Sequence, residues 1–204
     1  MEPLIIPGIP GHLRWHNEPR SFTAGGDILG IEAGAKTDLF LDPTMGVGRG
    51  PGTDSAPATL FATTDSNFIL SAKVEVDFSA TFDAGVLLVR ASGERWAKLC
   101  FEYSPAGKPM VVSVVTREVS DDCNSVTIER RHVRLRIARL DRAFAFHYSE
   151  DGRSWNLVRH FTLGDLDQLE AGFLSQSPTG NGCASRFSEI SYLASKLKDI
   201  RSGE

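Results

Sequence analysis

The stretch FILSAKVEVDF, residues 68–78, constrains what this chain can fold into more than any other part of it. Val74, Val76 and Phe78 alternate with Lys73, Glu75 and Asp77. A period of two is what a strand with one buried face requires. Runs of similar character follow at 85–90, 96–103, 110–117, 133–140, 143–148, 155–163, 172–175 and 186–193, and shorter ones precede it at 28–32 and 58–63. The turn-forming clusters ASGE, SPAGKP, LDRA and SEDGRS separate many of them. No long segment has a 3.6-residue apolar period. Many short strands divided by turns predict an all-β sandwich or barrel.

Length and composition fit one domain. We expect it to span 1–204, with a core at about 13–193 and a polar tail, SKLKDIRSGE, that frays after it. The formal charge of −4 argues against a nucleic-acid partner bound through its phosphates. Arg130, Arg131, Arg134 and Arg136 fit a solvated strand face. No membrane partner is expected, since no run approaches the ~18 apolar residues of a span. The opening MEPLIIPGIPGHLRW, broken by Pro7 and Pro10, does not read as a signal peptide. Cys100, Cys123 and Cys183 are odd in number and lack a CxxC pair. Free thiols in a reduced, cytoplasmic protein are the expectation.

The hairpin VLLVRASGERWAKLCFEYS, residues 86–104, suggests where a site would lie. A turn centred on Gly93 sets Arg90 opposite Trp96, Leu88 opposite Lys98 and Val86 opposite Cys100. Leu87, Val89, Ala97, Leu99, Phe101 and Tyr103 then share the core face. Continuing the register through SPAGKP puts Ser113 near Cys100 and Arg117 near Trp96. Arg90, Trp96, Lys98, Glu102, Ser113 and Arg117 would then form one polar patch around an aromatic ring. The long irregular stretch at 37–58, rich in Gly, Pro and Asp, would hang over it and contribute Asp38. Such a patch could stack a sugar on Trp96 and bond its hydroxyls. The plainer alternative is a sheet face sealed by that loop.

FDAGVLLVRASGERWAKLCFEYS followed by VVSVVTREVSDD resembles the domain-of-unknown-function family numbered 1349. That family also carries a regulation-of-enolase label, within the concanavalin A-like lectin/glucanase superfamily. LRWHNEP, KTDLF, YSEDGRSWNLVR and SQSPTGNGCASRFSEI agree with it, so the resemblance spans roughly 13–192. It implies a jelly-roll sandwich of two curved antiparallel sheets and supplies no reaction. Many members have a tryptophan after the TD pair, where this chain has Leu39 and Phe40. Many also have an aromatic in the SDD segment, where it has Cys123.

Three functions are expected from these residues. The first is non-catalytic recognition of a carbohydrate or sugar-like small molecule through Arg90, Trp96, Lys98, Glu102, Arg117 and Asp38. The second is a glycoside-acting enzyme using Glu75, Asp77 or Glu102. Glu75 and Asp77 lie on one side of a strand, as glucanase carboxylates do, but no further glutamate follows to serve as the acid/base. The third is a regulatory module that meets a protein partner. No cofactor and no metal are expected. The SDDCN and Thr37–Asp38 oxygens are too few for calcium and read as solvated turns, and His12, His16, His132, His147 and His160 are scattered. The glycines of GVGRGPG are not followed by a helical pattern. SEDGRSW reads as a structural turn, with Trp155 packed beneath it.

Overall fold

The alternating segments pair into two antiparallel sheets of seven strands each in the computed structural model, which describes residues 4–45 and 54–204. GVGRGPG lies outside the described residues. Strands are numbered along the chain. The first sheet runs in the order β1 (Arg14–Asn17), β4 (Ala58–Ala62), β13 (Glu170–Gln176), β6 (Ala84–Ser92), β7 (Arg95–Tyr103), β8 (Pro109–Arg117) and β9 (Val119–Thr127). The second runs β12 (Asn156–Thr162), β11 (Ala143–Ser149), β10 (His132–Leu140), β5 (Asn67–Val76), β14 (Gly182–Leu193), β3 (Ile28–Gly34) and β2 (Ser21–Gly25). No helix occurs among the described residues. The fold is the expected all-β sandwich.

The main core lies between the sheets. Val74, Leu135, Phe146 and Phe187 meet Leu87, Leu99, Phe101 and Phe173 there. The β6–β7 hairpin keeps the expected register: Arg90 faces Trp96, Leu88 faces Lys98 and Val86 faces Cys100. Leu87, Val89, Ala97, Leu99 and Phe101 are fully buried in the core. Tyr103, at the strand end, is half-buried and stacks on Phe78, with 5.2 Å between centroids.

The next hairpin corrects the sequence reading by one residue. Ser104 N–H donates to Lys108 O at 2.9 Å, which closes a three-residue loop, Pro105–Ala106–Gly107. Gly107 turns it at φ 71°, a left-handed conformation suited to glycine. The odd loop length sets Cys100 opposite Val112 and Trp96 opposite Thr116. Ser113 therefore lies opposite Leu99 and faces the core. Arg117 pairs with Arg95 at an exposed strand end, outside the patch.

SDDCN is not a turn but the middle of the edge strand β9. Ser120 is buried, but residues 121–125 are all exposed at the sheet edge, so no apolar alternation betrays the strand. The tail does not fray either. Leu197 is buried beside Ala138 and Ala145. Ile200 O lies 2.8 Å from His147 Nε2, and Gly203 O accepts from Arg136, whose guanidinium covers the Trp155 ring at 3.5 Å.

The outer face of the first sheet carries a second apolar cluster. Val86, Leu88, Trp96, Cys100, Val112, Val114 and Leu174 are buried there beneath Leu39 and Ala56. These last two belong to a strap between β3 and β4. Its outward limb is tied to β9, where Leu41 O accepts from Ser120 N–H at 2.8 Å and Ser120 Oγ accepts from Leu41 N–H at 2.9 Å. Its returning limb is tied to the outward one, with Ser55 and Ala56 N–H both donating to Asp38 O. This face is thus a covered second core rather than a solvated surface.

Candidate functional site

Strand alternation puts Lys98 and Glu102 on the strapped face, on either side of Cys100. Both are buried, at 2% and 7% exposure. An ammonium removed from water needs partners, and Lys98 has them. Its Nζ donates to Leu39 O at 2.6 Å and to Gln176 Oε1 at 2.9 Å, and lies 3.6 Å from Asp38 Oδ1. Gln176 comes from the end of β13, and Asp38 from the strap. Asp38 is oriented by its own turn, its Oδ1 accepting from Leu39 N–H at 2.8 Å.

Glu102 is different. No hydrogen bond to its carboxyl occurs among the described residues, although only 7% of the residue is exposed. Burial pushes its pKa up, Lys98 pulls against this, and the Asp122 and Asp38 charges add to the rise, leaving it at about 8. The carboxyl is therefore mostly protonated at neutral pH. Burial also raises Asp122, against the pull of Lys98. It pushes the neighbouring Cys100 thiol well above its usual range.

These groups border a half-open cavity of about 160 Å³. Asp38, Lys98, Glu102, Asp122 and Gln176 supply its polar wall, and Phe40, Phe82, Val114 and Pro178 its apolar one. Phe82 holds a left-handed conformation at φ 71° and leaves 38% of itself exposed at the rim. For a bulky residue this is a strained geometry of the kind that gathers at ligand sites. The next residue, Asp83, holds the chain in it: its buried carboxylate accepts from Ser79 N–H, Ala80 N–H and Ser177 Oγ–H at 2.9, 2.8 and 2.6 Å.

Of the residues singled out in the sequence, the cavity brings together Lys98, Glu102 and Asp38. Trp96 is not its aromatic wall. The indole is fully buried beneath the strap and donates Nε1–H to Gly93 O at 3.2 Å. Arg90 faces Trp96 across the strands, yet its guanidinium turns to Asp54 at 3.4 Å and Glu170 at 3.9 Å. Arg117 is removed by the register.

Glu75 lies in β5 of the other sheet and Asp77 just past its end, and both line a groove of about 1,050 Å³. Partial burial raises the pKa of Glu75, but hydrogen bonds from Lys73 and Arg186, both at 3.1 Å, hold it below its usual value. That groove is larger but open, and its Glu75 carboxylate is satisfied by neighbours. The smaller, half-open cavity, whose Glu102 carboxyl makes no hydrogen bond among the described residues, is the better candidate.

No three Asp, Glu, His or Cys side chains among the described residues come close enough together to hold a metal ion. The three cysteines are free. Asp151 accepts from Arg153 and Ser154 N–H, both at 2.8 Å, and these bonds lower its pKa, which makes SEDGRSW a structural turn.

Sequence reasoning missed Phe40, Phe82, Asp122 and Gln176. A signal was present. KTDLF, the FDAG opening, SDD and SQSPTG each place at least one residue on this cavity, although they lie far apart in the chain.

Two packed antiparallel seven-stranded sheets, one of them strapped on its outer face, define an all-β sandwich. Residues 15–194 match the family described as protein of unknown function, DUF1349, and the chain belongs to that family. A functionally unknown protein from Saccharomyces cerevisiae is 26% identical. It superposes with a TM-score of 0.80 over 90% of this chain and 96% of that one. A GH43 protein from Bacillus licheniformis is 13% identical, with a TM-score of 0.73 over 90% of this chain but 37% of that one. A legume lectin-like domain from Entamoeba histolytica is 9% identical, with a TM-score of 0.56 over 88% and 89%. The last two likenesses concern the fold alone, and this chain spans little more than a third of the GH43 protein. None of the curated proteins matches it.

Proposed function

We propose that this protein binds a single small, hydroxyl-rich ring, of the size and polarity of a monosaccharide, in the cavity around Lys98 and Glu102, without transforming it. The observation that carries the reading is the unpartnered, buried carboxyl of Glu102 facing a half-open space walled by Phe40 and Phe82. An apolar wall opposite a few placed polar groups is the usual make-up of a small-ligand site. A volume of 160 Å³ falls below the roughly 300–1,000 Å³ of pockets for drug-sized molecules, so the occupant is one ring rather than a chain.

Size also favours binding over glycoside cleavage. Glu102 would suit a proton donor, being protonated at neutral pH. A glycosidic bond, however, has a sugar on one side and a leaving group on the other, with a second carboxyl placed across it. A one-ring space does not hold that arrangement. The free thiols suit the reducing compartment proposed for the protein.

A thermal-shift and calorimetry panel of monosaccharides tests the reading. Saturable binding at millimolar concentration should raise the melting temperature by mass action. Phe82→Ala, at an exposed rim position, should weaken binding about tenfold, in line with the roughly 1–3 kcal/mol that ring stacking supplies in other systems. No shift from any monosaccharide would sink the reading. Release of reducing sugar from a glycoside, lost in Glu102→Gln, would replace it with the enzymatic one.

A further inference from the structure

We propose that this cavity, read as above as a single-ring site, selects a ring carrying a protonated amine, of the amino-sugar class, over the same ring uncharged or anionic. The argument begins with its unused hydrogen-bonding capacity. Lys98 donates to Leu39 O and Gln176 Oε1 and turns its remaining N–H toward Asp38 Oδ1, 3.6 Å away, so its charge is already directed at the protein's own oxygens. The Gln176 amide N–H₂ faces Phe82 O at 3.5 Å. What remains open to a ligand is mainly the carboxyl oxygens of Asp38, Glu102 and Asp122, with the Glu102 O–H the one donor added while that group holds its proton. An occupant must therefore bring donors. An ammonium brings three in a small volume, and hydrogen bonds between ionised groups are roughly twice as strong as neutral ones.

Charge points the same way. The ionisable groups facing Glu102 are Lys98 and the Cys100 thiol on its own strand, Asp38 from the strap and Asp122 from β9. β8 and β13 contribute the uncharged Val114 and Gln176. Three carboxyl groups line the space against one ammonium, an excess of acidic side chains that disfavours a phosphate or carboxylate ligand. A cation placed against Glu102 favours its ionised form and balances the charge that this form adds. Phe40 and Phe82 offer ring faces on which a cation is also favoured. A bare metal ion is the poorer occupant, because the carboxylates surround the space instead of meeting at a point.

Calorimetry at pH 6.5 with glucose, glucosamine and glucuronate tests this, since the three share one ring and differ in charge. Glucosamine should bind at least tenfold tighter than glucose, and glucuronate should give no heat. Titration of glucosamine in two buffers of different ionisation enthalpy should reveal proton release on binding. Glu102→Gln should abolish that release and cut the preference to a few-fold at most. Asp122→Asn, on the exposed edge strand, should lower the preference while keeping the release. Equal affinity for glucose and glucosamine, or a full preference retained in Glu102→Gln, overturns the inference and leaves the single-ring reading standing. Failure of all three rings to bind overturns both.

Discussion

Glu102→Gln should stabilise the protein at pH 7 by on the order of 3 kcal/mol relative to its effect at pH 4.5. The buried carboxyl has a pKa of about 8 in the folded chain, against an ordinary value of 4.5. Between those values the unfolded chain ionises Glu102 freely while the folded chain holds the proton. The stability linked to this group is therefore fully present below about pH 4.5, and it is lost as pH rises through 8. The loss runs at about 1.4 kcal/mol per pH unit. Glutamine keeps the shape of the protonated acid and has no proton to lose. Subtracting the variant's pH profile from the wild type's removes the titration of surface groups common to both proteins. Urea unfolding of both proteins across pH 4.5–8 measures the difference. Parallel profiles would mean that Glu102 ionises in the folded protein as easily as it does in water.

Trp96→Ala should cost about 3–5 kcal/mol, as much as removing a large aromatic ring from a main core. Phe101→Ala supplies the comparison, because the two residues sit on opposite faces of β7. Phe101 is packed between the sheets, and Trp96 is packed under the strap with Val112, Val114 and Leu39 in the same cluster. Both are fully buried. Similar losses for the two would establish the outer face as a second core. A loss below about 1 kcal/mol for Trp96→Ala, the range of substitutions away from buried features, would mean that the strap leaves the indole in water.

The difference between these two residues separates what was legible in the sequence from what was not. Phe101 declares its core face through the alternation of its own strand and its neighbour across the Gly93 turn, all within about twenty residues. Trp96 alternates just as cleanly, to the other side, among arginine, lysine and glutamate. A local pattern distinguishes the two faces of a strand without revealing what covers either one. Polar neighbours suggested solvent, but Lys98 is satisfied by Leu39 and Gln176, 59 and 78 positions away.

The same limit applies to Arg117 and Ser113. Their placement turned on whether the loop after Tyr103 held an odd or even number of residues, which depends on Gly107 adopting a left-handed turn. β9 escaped notice because its middle residues, polar and at the edge of the sheet, have no apolar period.

By itself the sequence determined the sandwich, most of its strands and which side of the β6–β7 hairpin faces the main core. These arise from side chains alternating along a strand and from short turns, interactions between near neighbours in the chain. Only the tertiary structure decided that the opposite face is roofed, that Phe40 and Phe82 rather than Trp96 flank the cavity, and that Glu75 and Asp77 lie at the other sheet. Those outcomes depend on β13 pairing beside β6 and on a strap tied to β9. Contacts of that kind join segments far apart in the chain, and strand periodicity carries no record of which segment closes over which.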